Sequence, residues 1–418
     1  MKLRPYLVAA LAALSLAACG GGSSSSSSTS SGNSSTSSGS TTTTAAASNV
    51  ATITVGTPVS GRRPNLPYVS VTICVPGTTT CQTIDDVIVD TGSVGLRLLA
   101  SAVTLSLPAV TTSSGQTLGE CVQFANSYSW GAVRSASYTI GGETTTSSTP
   151  VHIIGDTTVP TMPTQCSANG GTAQNTISTF GANGLLGIGQ FQQDCGSGCT
   201  ILANGNFYYA CTGSTCTAIT LPLASQLQHP ATLFSTDNNG TVVVMPSVAA
   251  SGAASASGQL IFGIGTESNN AIGSATVINS DASGNFTATY DGLTRASSFI
   301  DSGSNGLFFN DANDTSLTAC STTSGAYGFY CPSATINKTV TLVGNANTTQ
   351  TTSVALTINS ATTLLAGGSS TNNALPGLAG KGNSLSFDFG LPFFYGRSVY
   401  TGIQNVSTPA GTGPFVAF

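Results

Sequence analysis

Apolar and polar residues alternate with a period of two along much of the chain after residue 49, the pattern of half-buried β-strands. Val50 to Val55 and Leu66 to Val75 read this way. Pro76-Gly77-Thr78, between Cys74 and Cys81, predicts a hairpin turn, and Gln82 to Val89 its return strand. Thr241 to Met245 and Gln259 to Gly263 predict paired strands separated by an Ala/Ser/Gly loop, Ser247 to Gly258. Thr339 to Val343, Val354 to Ile358 and the closing Gly413 to Phe418 add further strands, and Asp237 to Gly240 and Asp291-Gly292-Leu293 read as turns. Gln190 to Leu221 holds four cysteines among many Gly and Ser residues and reads as an irregular, disulfide-pinned insertion. Leu223 to Phe234 is expected to be a short helix, and Asp311 and Asp314 the solvated start of another. The expected class is all-β, mainly strand with a few short helices.

The first 48 residues break this pattern. Lys2 and Arg4 precede an apolar run, Leu7 to Ala13, that is too short to span a bilayer. Leu16-Ala17-Ala18-Cys19-Gly20 resembles a bacterial lipobox, which implies cleavage before Cys19, acylation of its thiol and a membrane anchor without a span. Gly20 is not the aspartate that often retains lipoproteins on the inner membrane, so the outer membrane is expected. Residues 20–48 are nearly all Ser, Thr, Gly, Asn and Ala, with nothing to bury, and predict a flexible tether.

Composition narrows the partners. Charged residues make up 6% of the chain, with Lys plus Arg totalling 10 and a net charge of −5, so nucleic acid is an unsuitable ligand. Of 11 cysteines, setting Cys19 aside leaves an even set, as an oxidising compartment would favour. Spacing suggests Cys74 with Cys81, Cys211 with Cys216, and Cys320 with Cys331. Cys195 and Cys199 pair together or nest with Cys211 and Cys216, and Cys121 and Cys166 are left for each other. With two histidines, His152 and His229, and no paired Cys-x-x-Cys units, no metal site is expected. Gly263-Ile264-Gly265 lacks the third glycine and helix of a dinucleotide loop, and no cofactor is expected.

The candidate chemistry is a repeat. Val87-Ile88-Val89-Asp90-Thr91-Gly92-Ser93 is matched by Ser298-Phe299-Ile300-Asp301-Ser302-Gly303-Ser304. In each copy an apolar run delivers an aspartate into a tight turn, and two such copies imply two related halves facing one another. An apolar–glycine segment returns at nearly the same distance after each, Gly184 to Gly189 and Phe389 to Phe394. With these residues the chain resembles the pepsin-like aspartic proteases. The resemblance implies a bilobal fold, with residues 49–240 as the N-terminal lobe and 241–418 as the C-terminal lobe. It implies that Asp90 and Asp301 share one proton, one as base for a water and the other as acid for the leaving amine. Thr91 and Ser302 would tie the loops together, Ser93 and Ser304 would bond the carboxylates, and Gly92 and Gly303 would permit close approach.

The resemblance also implies a hairpin flap over the substrate. The candidate is Val122 to Gly131, with Tyr128 as the tip residue and Phe124 and Trp130 as alternatives; the family's Tyr-Gly pair is absent. Two further departures are Asp388, where an apolar residue is usual, and Leu391, where the family often has Asp. Only a short stretch with Arg62 and Arg63 stands between the tether and the first strands, so no long propeptide is expected. The expected activity is that of a monomeric aspartic endopeptidase acting on an extended polypeptide. The alternative is a catalytically silent binding or structural lipoprotein of the same fold. No Gly-x-Ser-x-Gly elbow supports a serine hydrolase.

Overall fold

A computed structural model describes residues 48–58, 61, 63–124, 127–168, 170–203, 207–365 and 371–418. The expected signal segment (1–19), Cys19, nearly all of the tether, Arg62 and residues 125 and 126 of the candidate flap segment lie outside these residues. The protein is mainly β, with 43% strand against 8% helix, and the helices are short.

Strands form where the alternation predicted them. Val50–Val55 buries every second residue, as a strand with one wet face must. Tyr68–Cys74 and Cys81–Asp90 form the hairpin, with Cys74 opposite Cys81 and disulfide-bonded to it. Where alternation gives way to an unbroken apolar run, the strand is covered on both faces: Val87 to Asp90 and Gly184–Ile188 are buried throughout.

The largest sheet joins the first and last parts of the described chain. Val50–Val55 pairs with Ala256–Phe262, which pairs with Gly240–Val244 and through it with Ser398–Gly402. The expected lobe boundary at 240/241 therefore falls inside a strand. A separate seven-stranded sheet is built from residues between Phe286 and Phe389. Its core is an aromatic stack, with Phe387 lying 4.5 Å from Phe309 and 4.2 Å from Phe389.

Three local expectations are corrected. Leu223 to Phe234 is not one helix but two short 3-10 turns, Leu223–Ser225 and Pro230–Leu233, because Pro230 removes a donor and His229 Nδ1 accepts from Ala231 N–H. The Gln190–Leu221 segment is more regular than expected. Tyr208–Thr212 and Thr215–Ala218 form a hairpin, and the first of these strands extends the sheet beside Thr117–Phe124. Asp311 and Asp314 do not open a solvated helix. They converge with Asp291 on the ammonium of Lys338, Asp311 at 2.6 Å and Asp314 at 2.9 Å. Burial opposes the charge on Lys338, but its hydrogen bonds to the three carboxylates outweigh burial and raise its proton affinity. The ammonium occupies the place a metal ion would need among those acids.

All ten described cysteines are paired, Cys195 with Cys199 and Cys121 with Cys166 among them. The nested alternative is excluded by these pairings.

Candidate active site

Each half of the chain builds the same device. The strand Cys81–Asp90 runs parallel to Gly184–Ile188, with Gly187 opposite Asp90, and the same threading strand pairs antiparallel with Val94–Leu99. In the second half Leu293–Ile300 runs parallel to Asp388–Phe389, which pairs antiparallel with Leu307–Phe309. The threading strand thus enters between the aspartate strand and the strand that leaves the loop, in both halves. Asp301 N–H donates to Phe389 O (3.0 Å), fixing the second aspartate at the end of its strand.

The loops bond each other reciprocally across 211 residues. Ser302 Oγ accepts from Thr91 N–H (3.1 Å) and donates to Val89 O (2.7 Å). Thr91 Oγ1 accepts from Ser302 N–H (2.9 Å) and donates to Ile300 O (3.2 Å). Within each loop the carboxylate is held by its own turn. Asp90 accepts from Gly92 N–H at Oδ1 (2.7 Å) and from Ser93 Oγ at Oδ2 (2.5 Å). Asp301 accepts from Gly303 N–H at Oδ1 (2.8 Å) and has Ser304 Oγ 3.0 Å from Oδ2.

The glycines allow the two carboxyl groups to meet. A Cβ on Gly92 would lie 2.8 Å from Asp301 Cγ, and one on Gly303 would lie 2.8 Å from Asp90 Oδ1. Neither site can hold a side chain without forcing the loops apart. Both carboxyls are almost covered, Asp90 at 2% exposure and Asp301 at 1%. Burial, then the charges of Asp90 and Asp388 and a hydrogen bond with Asp90, push Asp301 well above the usual carboxylate range. A carboxyl of raised proton affinity thus lies beside a second carboxyl within hydrogen-bond reach.

The hairpin expected as a flap is present as Thr117–Phe124 and Ser127–Ile140. It is not a free ribbon: one edge carries Tyr208–Cys211 and the other Thr149–Ile154 and Thr172–Ala173, and the Cys121–Cys166 disulfide pins it. Its aromatics find partners in the surrounding sheet. Trp130 meets Tyr209 edge-on at 5.3 Å and donates from Nε1 to Pro160 O (3.0 Å). Phe124 lies 6.4 Å from Phe180, and Tyr128 packs on the cluster around the disulfide.

Three groups to which the sequence assigned no role at the site support it. Arg97, on the strand leaving the first loop, is 1% exposed and donates to Glu120 Oε1 (2.7 Å), Asp194 Oδ2 (3.2 Å) and Val94 O (2.6 Å). Burial, then the charge of Glu120, pushes Asp194 up to about 8. Asp194 is therefore mostly protonated at neutral pH, although it lies within ion-pair distance of Arg97. Asn65, at 0% exposure and φ 56°, bonds Asn305 O, Leu375 O and N–H, and the Tyr395 hydroxyl, stapling the first half to the flank of the second loop. Asp388 is the third, and its side chain reaches Ser304. An arginine two residues after an apolar–glycine pair was a visible signal for the first; Asn65 carried none.

These buried groups set a pH dependence. The folded value of Asp194, about 8, lies above its ordinary 3.8. Its stabilisation is complete below pH 3.8, falls as pH rises while only the unfolded chain releases the proton, and is gone above about 8. Asp301 and Asp388 are shifted in the same direction. Burial pulls His152 and His229 down to about 4 from 6.5, so their contribution is present above 6.5 and lost as pH falls through 4. Between 6.5 and 8 the carboxyls act unopposed. Thermal melting is expected to shift downward from pH 6.5 to 8.5, and a melting temperature that holds or rises over that interval would contradict the burial of protonated acids.

The chain belongs to a family of proteins of unknown function, DUF3443, whose model matches residues 45–418. No curated protein matches the sequence.

Proposed function

We propose that this protein is an aspartic endopeptidase of pepsin-like, bilobal architecture, with Asp90 and Asp301 as its catalytic dyad. The observation that carries the reading is the reciprocal bonding of the two loops, which brings the carboxyls together with their glycines in contact. A water between the carboxyls is deprotonated by the ionised one and attacks the peptide carbonyl, while the neutral one donates its proton as the amide is broken. Substrate is an extended polypeptide adding a strand to the site. The lipobox residues support lipid anchoring through Cys19 in the bacterial envelope, at the outer membrane.

The second reading, a silent binding or structural protein, is favoured by one observation: the aspartates are 2% and 1% exposed beneath a hairpin whose aromatics are engaged elsewhere. Digestion of a denatured protein between pH 3 and 7, with and without a statine-type inhibitor, separates the two. Cleavage that the inhibitor stops is expected; absence of cleavage over the whole range selects the silent reading.

A further inference from the structure

Asp388 has no use in the two-carboxyl scheme, yet it is the third acid at the site. Register places its counterpart in the first half at Leu185: Asp388 lies opposite Phe299, as Leu185 lies opposite Ile88. A strand turns alternate side chains to opposite faces. Phe387 and Phe389 enter the aromatic core, and Asp388 faces the other way, towards Ser304.

Hydrogen counting at Ser304 is decisive. Its hydroxyl lies 3.0 Å from Asp301 Oδ2 and 2.8 Å from Asp388 Oδ2, and it owns one hydrogen. With the Asp301 proton shared with Asp90, an ionised Asp388 would leave one of these two carboxyl oxygens facing only a lone pair of Ser304. Asp388 is 3% exposed, and its Oδ1 has no hydrogen-bond partner. A buried, partnerless oxygen is costly on a carboxylate and tolerable as the carbonyl of a neutral acid. The oxygens of Asp301 by contrast have partners, with Gly303 and Ser304 N–H donating to Oδ1. The charge acting on Asp388 is that of Asp90, and no cation offsets it among the described residues.

We propose that Asp388 is a positioning residue, a neutral acid that donates to Ser304 Oγ and so commits the Ser304 hydrogen to Asp301. Its proton stays on Asp388; no bond is made or broken in the relay. When Asp388 ionises, Ser304 turns its hydrogen to the new carboxylate. Asp301 then loses a donor, gains a negative neighbour and holds its own proton more tightly. Asp301 becomes a weaker proton donor to the leaving amine, so Asp388 sets the alkaline limit of activity. Burial, and after it the charge of Asp90, raise its proton affinity and outweigh the hydrogen bond with Ser304, which lowers it. The catalytic half of this proposal rests on the protease reading; the protonation half does not.

The test compares wild type with Asp388→Asn, whose amide donates to Ser304 at every pH. Asp388→Leu is the reserve variant should Asn fail to fold, since the matching position in the first half is Leu185. The first readout is unfolding free energy between pH 6 and 9. The variant is expected to lose up to one proton from the alkaline decline, a tenfold change in the unfolding constant per pH unit. An unchanged slope overturns the proposal. Carbon-13 titration of labelled aspartates in the wild type is the second readout. It should show a carboxyl, absent from the variant, that is still protonated at pH 7; if every signal lost in the variant is already ionised there, the proposal fails. The third readout is the pH–rate profile. Asp388→Asn is expected to keep the acid-side rate and extend the alkaline limb, and a limb that does not move refutes the coupling to the dyad. A wild type that cleaves nothing removes the protease reading alone, and the first two readouts still decide whether Asp388 is neutral.

Discussion

Asp90→Asn is expected to abolish peptide cleavage, with a loss on the order of 10⁴-fold, the upper range for a general acid–base group. Asparagine keeps the shape: its carbonyl oxygen in place of Oδ1 still accepts from Gly92 N–H, and its NH2 in place of Oδ2 donates to Ser93 Oγ, which is free to turn its hydrogen away. It removes a charge that raises the proton affinity of Asp301. The variant therefore retains the loop and loses the ability to share a proton and activate water. Because one cause of the raised Asp301 affinity is gone, the variant should also lose less stability than wild type above neutral pH. The two measurements distinguish chemical from structural failure. Cleavage that persists at the wild-type rate in a folded Asp90→Asn protein would remove the dyad from the mechanism.

Arg97→Leu is expected to cost roughly 3–5 kcal/mol of stability, the usual penalty for stranding a buried partner. Glu120 has 0% exposure, its Oε1 accepts two bonds from Arg97, and Oε2 has only His152 Nδ1 nearby, at 3.5 Å. Burial holds His152 neutral at neutral pH, so it cannot replace the lost cation. Against a total stability of about 5–15 kcal/mol for ordinary domains, such a loss is a large fraction. The urea midpoint reads it directly. Adding Glu120→Gln to Arg97→Leu should recover part of the loss by removing the stranded charge. A change below about 1 kcal/mol in the single variant would mean that the network is wet or loosely held. The effect reaches the site because Arg97 sits four residues after Ser93, on the strand that leaves the first aspartate loop, and bonds Val94 O.

The sequence alone determined what depends on near neighbours. Alternating apolar residues specified the strands around Val50 and Tyr68, because a period of two follows from backbone geometry and nothing else. Short cysteine spacings suggested the staples at Cys74–Cys81, Cys211–Cys216 and Cys320–Cys331. The doubled Asp-Thr/Ser-Gly-Ser run marked both aspartates, because a turn that holds its own carboxylate is written in four consecutive residues.

Tertiary structure decided the rest, and in each case the deciding partner is remote. Asp311 and Asp314 looked like surface residues until Lys338 was brought between them. Trp130 looked available to substrate until Tyr209 met its face from a hairpin the sequence had left irregular. Asp388 looked like a departure from pattern until folding set it 2.8 Å from a serine 84 residues away. The free energy of a buried polar group depends on which atoms replace its water, and those atoms are chosen by the fold.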